Sequence, residues 1–280
     1  MNAVDPHRIA ARVWPGRPLE LEPLGGGITN RNFKVAVDGG EYVLRIGGRD
    51  TALLGIDRAA EHDASATAAR LGIGPEVVAF VDECLVTRFV AGENGDPEPR
   101  EAGALLRRLH DGPPFRGRFD AFRVVEAYAA AAVARGVAPP LAYERAQAVA
   151  GRIEARRGRP QPRPCHNDLL PANFVRDGGR LWLVDWEYAG MGDPYFDLGN
   201  FAVNNGLDEA GERELLAGYG GGDAAALVLM RFVSDFREAM WGVVQQALSD
   251  LDFDFRGYAD EHFERLERTA AEPRFRAALG

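Results

Sequence analysis

Apolar and polar residues alternate with a period of two in several short runs near the start of the chain, and a helical period takes over further on. Leu19–Leu24, residues 32–38 and residues 41–46 each read as a strand with one face buried. Gly39-Gly40 supplies a tight turn between the second and third runs, and Gly25-Gly26-Gly27 fills the first turn. The result is an antiparallel meander whose opening turn is all glycine. Ahead of it, Asp5-Pro6 joins an N-cap residue to a first-turn proline and predicts a short helix over Pro6–Val13. Behind it, residues 56–71 take a helical period that stops at Gly72, and residues 77–82 and 84–90 return to strands.

The segment Val90-Ala91-Gly92-Glu93-Asn94-Gly95 is short, small and polar, as a hinge between lobes would be. Beyond it Ala102, Leu105, Leu106 and Leu109 fall on one helical face. Residues 120–135 and 141–157 predict two more helices, and the proline-rich run RPQPRP then breaks the pattern. Two short β-like runs, residues 173–176 and 181–184, are joined by Asp177-Gly178-Gly179. From Pro194 onward the pattern predicts about four helices. The fold class is α+β, with a β-rich N-terminal lobe over residues 1–90 and a mainly helical lobe over residues 91–280 that holds one small hairpin.

Composition narrows the classes of function. The 280 residues are 46% hydrophobic and 27% charged, and the net charge is −9. No run is apolar and long enough to span a bilayer, and the N-terminus has no signal-peptide core, so the reading is a cytoplasmic protein with no membrane partner. Arg156-Arg157-Gly158-Arg159 is the densest basic spot and reads as a solvated helix end, so no nucleic-acid partner is expected. Two cysteines, Cys84 and Cys165, build neither a disulfide framework nor a cysteine zinc site. An acidic surface weakly favours cationic small molecules by steering them.

The chemistry gathers in His166-Asn167-Asp168-Leu169-Leu170-Pro171-Ala172-Asn173 and in Leu183-Val184-Asp185-Trp186-Glu187-Tyr188. Phosphoryl transfer needs a carboxylate to orient the acceptor hydroxyl, and separate oxygen ligands for magnesium. Asp168 on an irregular loop suits the first role. Asn173 at the start of one strand and Asp185 at the end of its partner suit the second, because a hairpin brings them together. His166 braces the catalytic loop by hydrogen bonds.

These segments resemble the catalytic segment of the choline/ethanolamine kinases and aminoglycoside phosphotransferases, a superfamily with a two-lobed protein-kinase-like fold. Asp185-Trp186-Glu187-Tyr188 is most similar to the bacterial choline/ethanolamine kinase-like group. The likeness runs through LGGGITNRNFKV, YVLRI, the helix with Glu61, LLRRLH, AMWGVVQQ and FRGYADEHFERLE. It implies ATP as donor and Mg2+ held by Asn173 and Asp185, with Glu187 in the metal set. Gly25, Gly26, Gly27, Thr29 and Asn30 would form the loop over the phosphates. Arg45, where many kinases have lysine, would grip phosphate and pair with Glu61. Thr87, Phe89 and Val90 would meet the adenine edge. Tyr188, Trp241, Phe255 and Tyr258 would box a cationic alcohol by cation–π attraction. WGVV lacks the second tryptophan of the eukaryotic motif, and Asn204 stands where those kinases have an acid, so the box is thin. The chain has neither GxGxxG nor GxxxxGK[ST].

The expectation is therefore an ATP:alcohol phosphotransferase acting on a small amino alcohol such as choline or ethanolamine. An aminoglycoside, thiamine or other small-alcohol kinase is the nearest alternative. A non-catalytic nucleotide- or metabolite-binding module is the alternative of another class, and it expects erosion of Asp168, Asn173 or Asp185, all of which are present.

Overall fold

The Asp5 carboxylate accepts a hydrogen bond from the His7 amide at 3.0 Å, and Pro6 opens the first helix, α1 (Pro6–Val13). The computed structural model describes residues 4–25, 29–48, 51–95 and 97–280. Strands β1 (Leu19–Leu24), β2 (Asn30–Val37) and β3 (Gly40–Gly47) form the expected meander. Asp38 and Gly39 take φ of 51° and 77° at the β2–β3 turn, which glycine adopts freely and aspartate tolerates. Helix α2 (Arg58–Leu71) is capped by Asp57, which accepts the Ala59 and Ala60 amides, and ends at Gly72 with φ 66°. Strands β4 (Val77–Val81) and β5 (Cys84–Arg88) complete an antiparallel sheet in the order β1-β2-β3-β5-β4. Ile9 and Ala10 of α1 close one face of this sheet against Val35, Leu44, Ile46 and Val86.

The segment read as a hinge between lobes carries a two-residue strand, β6 (Glu93–Asn94). Helices α3 (Pro99–His110), α4 (Ala121–Val133) and α5 (Ala142–Arg157) follow, then β7 (Arg163–Cys165), β8 (Phe174–Asp177) and β9 (Arg180–Leu183). β6 pairs with β8, so the small hairpin is a three-stranded sheet, β6-β8-β9. A Cβ at Gly92 would lie 2.3 Å from the Arg176 carbonyl oxygen, and only glycine lets the chain pass there. Strand β10 (Gly190–Gly192) pairs antiparallel with β7. These two- and three-residue strands carry too few positions for a period to show.

The remaining chain is α6 (Pro194–Asn204), α7 (Glu209–Tyr219), α8 (Ala224–Leu248), α9 (Phe255–Ala271) and α10 (Pro273–Leu279). The described residues thus hold five helices here, where four were expected, because Pro273 ends one helix and starts another. The largest core cluster joins α4, α5, α8, α9 and α10 through Val125, Ile153, Phe232, Phe236, Phe263 and Phe275. Side chains buried this fully each contribute about 1.5–3 kcal/mol. A second cluster joins Ala64 and Ala68 of α2 to Leu106, Leu109, Phe174, Leu183 and Phe201. Helix α2 therefore leans on the helical half of the chain and carries Glu61 toward the hairpin. No helix among the described residues is long and apolar enough to cross a membrane.

Candidate active site

The loop between β7 and β8 is held from behind by one carboxylate. Asp197 of α6 is fully buried; its Oδ2 accepts the His166 amide at 2.8 Å and its Oδ1 the Asn167 amide at 2.7 Å. The same carboxylate contacts His110 Nε2 at 3.0 Å. Asn200, one turn of α6 later, accepts the Leu169 amide at 2.5 Å. His166 donates from Nε2 to the Val184 carbonyl at 3.0 Å and accepts the Asp168 amide at Nδ1, 3.2 Å away. Both ring nitrogens are engaged by backbone, and burial lowers the imidazole pKa, so the ring is a neutral brace.

Asp168 projects from this frame. Its Oδ1 lies 3.3 Å from Arg237 Nη1 and its Oδ2 3.4 Å from Asn173 Nδ2. Burial pushes its carboxyl up to about 7, with Arg237 opposing and Glu238 adding to the rise. A carboxylate poised there is suited to take a proton near neutral pH.

Asn173 and Asp185 line one cavity of about 380 Å3, together with Gly25, Arg45, Thr87, Phe89 and Val90. Asn173 ends a 3₁₀ turn, Pro171–Asn173, and its carbonyl accepts the Val184 amide at 2.9 Å, which ties it to the strand leading to Asp185. Its side-chain amide donates to the Asp168 carbonyl at 2.8 Å, which turns the amide oxygen away for another partner. Asp185 sits in the left-handed region at φ 67° and pairs with Arg45. Burial works against its charge, but Arg45 overrides it and holds the carboxyl below its ordinary value. Arg45 also bonds Glu61 Oε1 at 3.2 Å, so β3, α2 and the segment after β9 meet at one guanidinium. An ionised carboxylate and an amide oxygen on one cavity wall are hard donors that fit Mg2+, which takes its remaining ligands from phosphate and water.

Glu187 faces a different set of partners. It is buried, its Oε1 accepts Thr29 Oγ1 at 2.6 Å and its Oε2 accepts Asn30 Nδ2 at 2.8 Å, with Arg58 at 3.5 Å. Burial, with Asp185 adding, pushes its carboxyl up to about 7. The structure thus ties Glu187 to the end of the glycine turn. Gly26 and Gly27 lie outside the described residues.

The four aromatics lie together. Trp241 Nε1 donates to the Tyr188 hydroxyl at 3.2 Å, and its ring meets Phe255 and Tyr258 edge-to-face at 5.8 and 5.5 Å. Trp241, Phe255 and Tyr188 belong to the largest core cluster, so packing accounts for much of their surface.

Sequence reasoning missed Arg237 and Glu238 of α8. Arg237 is 1% exposed, pairs through Nη1 with Asp168 and Glu238, and lies 4.4 Å over the Tyr188 ring. Glu238 also accepts the Tyr258 hydroxyl at 2.9 Å. Their signal in the sequence is two adjacent charges, two positions after Asp235, inside a helical stretch that is mainly apolar, VSDFREAMWGVV. Arg58, which bonds Glu61 at 2.7 Å, was missed as well.

Comparison with known proteins places this arrangement. Residues 20–233 match the phosphotransferase enzyme family. The crystal structure of a choline/ethanolamine kinase family protein from Mesorhizobium loti has TM-score 0.81 and 32% identity, covering 98% of this chain and 97% of that one. Choline kinase LicA from Streptococcus pneumoniae has TM-score 0.82 and 22% identity, covering 95% of this chain and 97% of that one, a likeness of fold. Protein LicA of Haemophilus influenzae is 28% identical over 206 residues, 69% of this chain. The match spans 61% of the length of that relative. The chain belongs to the phosphotransferase enzyme family, in its choline/ethanolamine kinase group, and has the protein-kinase-like fold of that superfamily.

Proposed function

We propose that the protein transfers the terminal phosphoryl group of ATP to the hydroxyl of a small amino alcohol, of the kind represented by choline and ethanolamine. The observation that carries this reading is the approach of Asp168 to Asn173 at 3.4 Å, at the edge of the cavity that Asp185 and Arg45 also line. In this reading residues 1–90 form the nucleotide lobe and residues 91–280 the acceptor lobe, and the reaction takes place in the cytoplasm, where ATP is made.

Asp168 orients the acceptor hydroxyl and takes its proton as the oxygen attacks phosphorus. Asp197 and Asn200 fix the loop backbone, so the carboxylate is aimed before substrate arrives. Asn173 and Asp185 would hold Mg2+, which supplies charge to the phosphate oxygens when bound. Arg45, steadied by Glu61 and Asp185, would reach the phosphate oxygens of a bound nucleotide. Thr29 and Asn30 set the end of the glycine turn through Glu187. Tyr188, Trp241 and Tyr258 offer ring surface to the acceptor's ammonium, with Phe255 packed behind Trp241.

The test is acceptor-dependent ADP release, with choline, ethanolamine, thiamine and aminoglycosides offered in turn. Release driven by a small amino alcohol supports the reading. Release driven only by an aminoglycoside or thiamine replaces the acceptor, and binding of ATP with no release under any acceptor replaces the enzyme with a binding module.

A further inference from the structure

Arg237 reaches Asp168 and Glu238 with a single nitrogen, Nη1. Its Nε and Nη2 are buried and have no hydrogen-bond partner among the described residues. These two nitrogens form the side-on edge of the guanidinium, whose parallel N–H bonds match the two oxygens of a carboxylate. A fully buried cation with its whole fork unmet is costly, and that calls for a partner the described residues do not provide.

The surrounding charges say what that partner is attached to. Two carboxyl groups, Asp168 and Glu238, share one guanidinium, so with both ionised the cluster carries a net negative charge that suits an ammonium group. The guanidinium covers one face of Tyr188, leaving the rings of Trp241 and Tyr258 for a ligand's cation. The fork and Nη1 belong to one rigid plane, so a group held by the fork lies within about 8 Å of the Asp168 carboxylate. Two or three carbons between hydroxyl and carboxylate cover that span.

We propose that Arg237 anchors the acceptor through a carboxylate, so that the preferred substrate is a small hydroxylated amino acid, carrying an anion as well as the ammonium and the hydroxyl. This rests on the kinase reading of the same site and narrows its acceptor class. Arg237 is a specificity-determining residue, and its sealed environment strengthens any bond made there.

Matched pairs that differ only by the carboxylate test it: ethanolamine against L-serine, and 3-aminopropanol against L-homoserine. Binding is measured by calorimetry on the full chain with Mg2+ and a non-hydrolysable ATP analogue, and phosphoryl transfer is followed separately with ATP. The expected result is at least tenfold tighter binding of the carboxylated member in one or both pairs. Arg237→Lys keeps the charge and removes the fork, and should cut that ratio at least tenfold. Equal or weaker binding of the carboxylated members overturns the proposal, as does no detectable binding of any; a fork filled by water alone gives this result. If Arg237→Lys does not fold, the wild-type ratio still decides. Carboxylate-dependent binding without transfer would remove the kinase reading and keep the anchor. Transfer to ethanolamine without preference would do the reverse.

Discussion

Replacing Asp168 by asparagine removes one charge and almost no volume. The buried carboxyl ionises near pH 7, against 3.8 for an unperturbed aspartate, because burial penalises the anion more than Arg237 repays it. Between those two pH values the unfolded chain has released this proton and the folded chain still holds it. The unfolded state then binds fewer protons, so stability falls as pH rises through this window. A difference of this size corresponds to about 4 kcal/mol at most once pH exceeds 7, at ~1.4 kcal/mol per unit. Asparagine resembles the protonated acid and escapes this loss. Asp168→Asn should therefore be more stable than wild type at pH 8 by a few kcal/mol, on the order of 2–4, and should differ little at pH 4. Its phosphoryl transfer should fall by about 10²–10⁴, the usual contribution of a positioned base, while ATP binding persists. Urea unfolding of both proteins at pH 4, 6 and 8, without nucleotide, measures the first effect, and single-turnover transfer measures the second. A stability difference that does not grow with pH would refute the strained-carboxylate argument. Transfer within about tenfold of wild type, ~1.4 kcal/mol of barrier, would refute the role of Asp168 as base.

Asp185→Ala should abolish turnover and remove the magnesium dependence of ATP binding, read by calorimetric titration with and without Mg2+; an unchanged dependence would take Asp185 out of the metal set. Glu187→Ala leaves Thr29 and Asn30 without their shared acceptor and should raise the KM for ATP several-fold with little change in the acceptor KM, a split that steady-state kinetics resolves. Trp241→Ala removes a ring that is 9% exposed, and should lower stability by about 3–5 kcal/mol in urea unfolding. The same variant should raise the acceptor KM far more than the ATP KM, and Trp241→Phe should recover part of that loss; equal harm to both KM values would make Trp241 a packing residue only.

What the sequence disclosed follows the range of each interaction. Helix α1 matches residue for residue because Asp5 and Pro6 act on the turn beside them. The β2–β3 hairpin follows from alternation and a local turn. The pairing of Arg45 with Glu61 spans 16 residues and came through family resemblance, since nothing in the local pattern of β3 or α2 names the partner. Strands β6, β7 and β10 are two or three residues long, below the length at which a period exists. Arg237 and Glu238 stayed hidden for another reason. Adjacent charges on a helix ordinarily mark its wet face, and the residue that reverses this, Asp168, lies 69 positions away in the sequence.

Asp197 grips the catalytic loop from α6, whereas Arg237, Glu238 and Trp241 reach the acceptor side from α8. On the proposed reading, aim and choice of substrate are thus written largely on separate helices. In that reading, substitutions on α8 away from Arg237, which also pairs with Asp168, can exchange one acceptor for another while the loop keeps its bearings, so new specificities are open to this scaffold without rebuilding its chemistry. A change at Asp197 has no such freedom: it releases two loop amides at once and disturbs the reaction for every acceptor alike.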